Sequence, residues 1–199
     1  MIAIIDYKAG NVASVKNAFN RLGVECLITS DHETILSAQG VIFPGQGRAG
    51  TAMKELKRSG IDTAIKNITR PFLGICLGMQ LLADFSQEDD TECLSIIKGK
   101  CQKLPSVLKT PHLGWNKVEF VGNSPLIEGI RANSPYFYFV HSYYFSPLNN
   151  DCLVGKTPYG FDFASMVQKD NFFATQFHPE KSGKIGETLL SNFCKLCGR

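Results

Sequence analysis

Nothing in the sequence approaches the run of about 20 apolar residues that a membrane-spanning helix needs. Met1 leads straight into the apolar stretch Ile2–Asp6, not into a charged segment followed by a cleavable apolar one. No export signal is therefore expected, and a cytoplasmic protein is the default. An excess of charge of one sign is missing too. The 21 Lys and Arg stand against 18 Asp and Glu, a formal net charge of +3, and the basic residues are scattered. A nucleic-acid partner would ask for a concentrated basic face, so neither nucleic acid nor membrane is expected. Repeats, linkers and low-complexity tracts are also lacking, and 199 residues suit one domain over positions 1–199.

Cysteine is plentiful, but ordered cysteine spacing is not. The seven thiols are odd in number and irregularly placed, which argues against a disulfide framework in a reducing compartment. Cys194 and Cys197 make the one C-x-x-C pair, with no second pair to complete a zinc site, so no metal is expected. On a C-terminal helix the two read as small apolar residues of one buried face.

Strand and helix signals alternate through the first half. Ile2–Asp6 reads as a strand covered on both faces. Gly10 punctuates, and Asn11 is placed to cap a helix with the apolar stripe Val12, Val15, Phe19 and Leu22, ended by Gly23. The second strand is "VECLI". Ser30 and Glu33 form a capping-box pattern, "GVIFPG" is the third strand, and a helix runs from about Thr51 to Arg58. "PFLGI" is the fourth strand, followed by a helix over Leu77–Asp84 and an acidic loop over Asp84–Asp90. The later segments "KVEFV", "YFYFVHSYYF", "LVGKT", "FASMVQ" and "FFATQFH" are strand-like, with a hairpin turn at Lys169–Asn171 and a final helix from Gly183 to about Leu196. The expected fold is α/β: a mostly parallel open sheet, helices on both faces, and an antiparallel extension.

Within this frame "GICLG" stands out. It puts Cys76 after a strand and before a helix, with Gly74 and Gly78 clearing the space around it. This is the pattern of a nucleophile elbow. A helix N-terminus there favours a thiolate and offers free N–H groups to an oxyanion. An ordinary buried cysteine needs none of that, and the other six are expected to be ordinary. A base is supplied by "QFHPEKS". Pro179 holds His178 extended, and in extended chain residues two apart point to the same side, so Glu180 can orient the imidazole. His112 and His141 read as structural, and His32 as a helix-surface residue.

These motifs resemble the class-I glutamine amidotransferases, the Cys–His–Glu glutaminases. "PHLGWN", "YFYFVHSYY" and "QFHPEKSG" are similar to one branch, the glutaminase subunits of imidazole glycerol phosphate synthases, and the likeness runs from "IAIIDY" to "LLSNFC". The resemblance implies L-glutamine as substrate, with Cys76 as nucleophile, His178 as acid and base, and Glu180 as orienter. It implies an oxyanion held by the backbone of Leu77 and of Gln46 or Gly47, and substrate contacts from Gln80, Glu88, Ser142 and Tyr143. No cofactor is implied. The branch carries an aliphatic residue where this chain has Gln46. Only backbone is expected to serve at that position, so the difference bears on how the loop is regulated. The implied partner is a (β/α)8-barrel cyclase in a heterodimer, with Trp115, Asn116, Tyr138 and Lys181 as interface candidates. Tyr136, Phe137 and Phe139 are expected to pack within their own domain. The sequence leaves open a glutaminase serving another synthase, such as a surface-sugar amidotransferase, a cysteine peptidase or related hydrolase on a similar sheet, and a non-catalytic binding module.

Overall fold

Every residue of Ile2–Ile5 (β1) is buried, as a continuous apolar run demands when both faces of a sheet are covered. The computed structural model describes residues 1–8, 12–130 and 135–199. After β1 come α1 (Val12–Arg21), β2 (Cys26–Thr29), α2 (His32–Ser37), β3 (Gly40–Phe43), α3 (Ala49–Ser59), α4 (Ile61–Lys66), β4 (Phe72–Ile75) and α5 (Leu77–Gln80). The second half adds β5 (Phe85–Ser86), β6 (Thr91–Glu92), β7 (Gly99–Lys103), β8 (His112–Lys117), β9 (Glu119–Phe120) and β10 (Tyr136–His141). It closes with β11 (Tyr143–Pro147), β12 (Leu153–Pro158), β13 (Asp162–Lys169), β14 (Phe172–Thr175) and α6 (Gly183–Leu196).

Strands β2, β1, β3, β4 and β14 lie side by side and run parallel. From β14 the sheet continues antiparallel through β13, β11 and β7. Alternation along each parallel strand splits the apolar residues between two cores. Ile2, Ile4, Ile42, Leu73 and Ile75 pack with Val15 and Phe19 of α1 and with Leu189, Leu190 and Phe193 of α6. Ala3, Ile5, Val41 and Phe43 pack on the other face with Met53 and Leu56 of α3 and Ile61 and Ile65 of α4. The α/β reading with an antiparallel extension therefore describes the chain.

Several details differ from the sequence reading. The helix after Cys76 stops at Gln80 and does not reach Asp84. The carbonyls of Leu81, Leu82 and Ala83 are taken by N–H groups of residues 94–97, so none is left to continue it. The acidic loop holds β5 and a 3-10 turn at Glu88–Asp90. Asp31, not Ser30, caps α2, its carboxylate accepting from the Thr34 N–H at 2.8 Å. Helix α4 and strand β7 had no clear sequence signal. Tyr136 is 57% exposed, although Phe137 and Phe139 are fully buried as expected. Cys194 and Cys197 are buried, and His32 is exposed on α2. Gly10 and Asn11, the punctuation and cap assigned to α1, lie outside the described residues. Strands β8 and β10 form a separate two-stranded ribbon. It is fastened to the turn after β14, where the His178 N–H donates to the Tyr138 carbonyl and the Tyr138 N–H to Ser182 Oγ.

Candidate active site

Cys76 leaves β4 with φ 54° and ψ −106°, a conformation that side-chain-bearing residues rarely adopt. The chain makes room for this turn by close approach. A Cβ on Gly78 would sit 2.0 Å from the carbonyl oxygen of Phe43, and one on Gly45 would sit 2.5 Å from the Leu77 side chain. The elbow and the Pro44–Gly47 loop are thus packed backbone to backbone, and only glycine permits it. The Tyr7 hydroxyl at the end of β1 donates to the Pro44 carbonyl at 3.0 Å and pins the same loop. Burial, with the nearby Cys76 sulfur, pushes this phenol well above its usual range, so it stays a donor. Nothing in the sequence reading singled out Tyr7.

Beyond the elbow lies a cavity of about 460 Å³. Gln46, Gly47, Cys76, Leu77, Gln80 and Glu88 line it together with Tyr138, Ser142, Tyr143, His178 and Lys181. It lies beyond the carboxyl ends of the parallel strands, where ligands bind in such sheets.

His178 is buried, and its Nδ1–H donates to Glu180 Oε1 at 2.8 Å. The contact is as expected, but its geometric reason differs. Pro179 opens a 3-10 turn, and that turn brings Glu180 back to the ring, where extended chain would not. His178 Nε2 is buried and makes no hydrogen bond of ordinary geometry. Burial alone would push the imidazole down; the charge and hydrogen bonding of Cys76, then Glu180, outweigh it and raise the ring to about 10. The surroundings thus favour the protonated ring, which lies opposite the thiol and is held from behind by a carboxylate.

A strand-end thiol facing a carboxylate-bound imidazole, at a cavity, is machinery for acyl transfer. The family model for class-I glutamine amidotransferases matches residues 3–197. This chain is a class-I glutamine amidotransferase. It is 50% identical over 200 residues to the imidazole glycerol phosphate synthase subunit HisH of Methanocaldococcus jannaschii, covering 98% of this chain and 100% of that one. The same subunit of Maridesulfovibrio salexigens is 46% identical over 208 residues, at 99% and 97% coverage. Among solved structures, a glutamine amidotransferase crystal structure matches at 19% identity with a TM-score of 0.77, over 100% of each chain. PurLQS from Thermotoga maritima matches at 14% identity with a TM-score of 0.73, covering 98% of this chain and 97% of that one. At such identities these two matches speak for the fold alone.

Other residues of this amidotransferase's cavity are more constrained than the sequence suggests. Glu88 Oε2 accepts from the Ala49 N–H at 2.8 Å and so caps α3, where the formal cap Arg48 makes no capping bond. Burial raises the Glu88 carboxyl, with the Ala49 bond opposing. Arg48 makes a two-point ion pair with Asp89, joining the loop after Gly47 to the Glu88 turn. The Ser142 carbonyl accepts from the Leu104 N–H, and the Tyr143 carbonyl from Gln80 Nε2 and His141 Nδ1. Of the interface candidates, Trp115 is 56% exposed and stacks edge-on against Tyr138, over whose ring the Lys181 ammonium sits at 5.9 Å. Asn116 points the other way, because neighbours on a strand face opposite sides. Its amide donates to His112 Nε2 and to the Pro158 carbonyl.

His112 and His141 are buried together and bonded ring to ring at 2.9 Å. Burial lowers His112 to about 4 and His141 to about 3. Both stay neutral in the folded chain at pH values where the unfolded chain would protonate them. The unfolded state then binds more protons, so stability falls as pH drops from 6.5 toward 4. Denaturant titrations across that window should show a loss of a few kcal/mol. A stability independent of pH there would mean that these rings are not held neutral. Among the described residues no helix is long and apolar enough to cross a membrane, and no group of His, Cys, Asp and Glu is arranged to hold a metal ion.

Proposed function

We propose that this chain is the glutaminase subunit of an imidazole glycerol phosphate synthase. In this reading Cys76 is the nucleophile, His178 the proton donor and acceptor, and Glu180 the group that fixes the imidazole. The observation that carries it is the buried His178–Glu180 pair turned toward the elbow thiol, in a chain matched end to end by HisH subunits.

The thiolate adds to the side-chain amide carbon of L-glutamine. Negative charge moves to the carbonyl oxygen, which the N–H of Leu77, at the start of a helix, and those of Gln46 or Gly47 hold. As the carbon–nitrogen bond breaks, the imidazolium gives its proton to the departing nitrogen and ammonia leaves. Water then attacks the glutamyl thioester while His178 takes its proton, releasing glutamate and restoring the thiolate–imidazolium pair. Positioned proton transfer supplies ~10²–10⁴-fold and each oxyanion donor ~10²–10³-fold. Gln80, Glu88, Ser142 and Tyr143 would hold the substrate's amino-acid end, with Glu88 facing its ammonium.

Ammonia set free in a cytoplasmic enzyme is useful only if an acceptor receives it. Half-buried Tyr138 and Lys181 line the cavity, and with the exposed Trp115 and Tyr136 of the same ribbon they suit a docked subunit. The partner in this reading is a (β/α)8-barrel cyclase, in a heterodimer, that joins ammonia to a phosphorylated ribulosyl intermediate. Ammonia release from glutamine, measured for the purified chain alone and with the cyclase of the same organism, tests this. Weak release alone and at least tenfold stimulation by ligand-loaded cyclase are expected. Equal rates with and without cyclase would count against this partner.

A further inference from the structure

Gln176 sits two residues before His178, is fully buried, and has no part in the chemistry assigned so far. Its side chain lies between two others. Gln80 Nε2 is 3.0 Å from one end, and Cys76 Sγ is 3.6 Å from the other. Which end is nitrogen follows from the surrounding bonds. The Tyr143 carbonyl can only accept, so the Gln80 atom 2.7 Å from it is the amide nitrogen. The second hydrogen of that nitrogen points at Gln176, whose facing atom must then be oxygen. The carboxamide N–H of Gln176 is left to aim at the sulfur.

The same carbonyl directs a second branch. It accepts from His141 Nδ1 at 2.8 Å, which makes His141 Nε2 an acceptor for the Nδ1–H of His112, and His112 Nε2 an acceptor for Asn116. The Pro158 carbonyl, accepting from Asn116 at 2.9 Å, fixes that far end. Every bond then has one direction. Reversing the Gln176 amide would set N–H against N–H at Gln80, deep in the core, at the cost of an unpaired buried donor.

We propose that Gln176 is a positioning residue for the nucleophile: its carboxamide N–H, aimed by Gln80 and the Tyr143 carbonyl, holds Cys76 Sγ in its attacking rotamer and stabilises the anionic sulfur. The inference rests on Cys76 being the nucleophile. It accounts for a buried amide beside a sulfur whose titratable neighbours are Tyr7, just past β1, and His178 with Glu180 behind it, with His141, Glu88 and Lys181 in the lining of the same cavity.

The test is the rate of alkylation of Cys76 by iodoacetamide as a function of pH, in the full chain and in two variants. Gln176→Glu keeps the acceptor that Gln80 needs but replaces the N–H facing sulfur with a carboxylate oxygen. Gln176→Leu removes both. Gln176→Glu is expected to alkylate at least ~10-fold more slowly at pH 7, with the rising limb of its rate–pH profile moved up by about one unit or more. Gln176→Leu should move in the same direction by less. If the residue serves only to hold Gln80, Gln176→Leu, which removes the N–H without bringing a charge to the sulfur, will keep the parent rate and profile, and the proposal falls. Should a variant not fold, the unaltered chain decides. The Gln176 carboxamide protons should be slow to exchange and should shift on alkylation of Cys76, and carboxamide resonances that do not move would overturn it. A parent chain whose Cys76 is unreactive and which releases no ammonia would instead defeat the functional reading itself.

Discussion

Cys76→Ala is expected to lower glutamine hydrolysis by ~10⁴-fold or more, because no other group can form the thioester and the remaining machinery has nothing to act on. The fold should survive. The methyl group fits where the thiol was, but alanine keeps the strain of φ 54°. Cys76→Gly, equally inactive, should be more stable than Cys76→Ala by about 1 kcal/mol, since glycine adopts that conformation freely. The exchange also acts on His178. Cys76 is the strongest influence raising that ring, which stands at about 10 against an ordinary 6.5. A raised pKa means that the stabilisation from the imidazolium is complete below 6.5 and lost as pH rises through about 10. With the sulfur gone, burial opposes only Glu180, so the ring should titrate nearer neutrality. Ammonia release, denaturant titration and ring-nitrogen NMR check these three effects. A Cys76→Ala chain that still turns over glutamine would remove the basis of the mechanism.

The second large effect is expected from Gly78→Ala. One methyl group would have to occupy space 2.0 Å from the Phe43 carbonyl oxygen, so the end of β3 and the Pro44–Gly47 loop must move away from the elbow. Overpacking of this kind costs about 1–3 kcal/mol. The larger consequence is kinetic: the displaced loop carries the proposed Gln46 and Gly47 donors, and losing one donor costs ~10²–10³-fold. Gly23→Ala is the control. Gly23 has φ 73°, and a methyl group there would meet no atom within 4 Å, so only backbone strain of about 1 kcal/mol applies and activity should be kept. Equal behaviour of the two variants in ammonia-release assays would show that the Gly78 contact does not set the loop.

Much of this site is written in local sequence because each part is a local device. A strand-ending thiol between glycines and a histidine held by a following proline are recognisable within a few residues. The sequence pattern also separates buried Phe137 and Phe139 from the polar loops, since β alternation is a local rule. It misjudged Tyr136, which stands at the ribbon's edge, where no layer covers it. Alternation could equally have warned that Trp115 and Asn116 cannot share a face. The missed helix α4 is only six residues long, too short for a periodic signal to emerge.

By itself, then, the order of residues determined the alternating strands and helices, the strand-end positions of Cys76 and His178, and the absence of a long apolar span. It could do so because periodicity, capping and elbow chemistry act over a few neighbouring positions. Tertiary structure alone decided that Glu88 caps α3, that Tyr7 pins the Pro44 carbonyl, and that Gln176 reaches Cys76 across 100 residues of chain. Those contacts join segments far apart in sequence. Their partners are chosen by sheet order and by the direction of buried hydrogen bonds, neither of which a local pattern records.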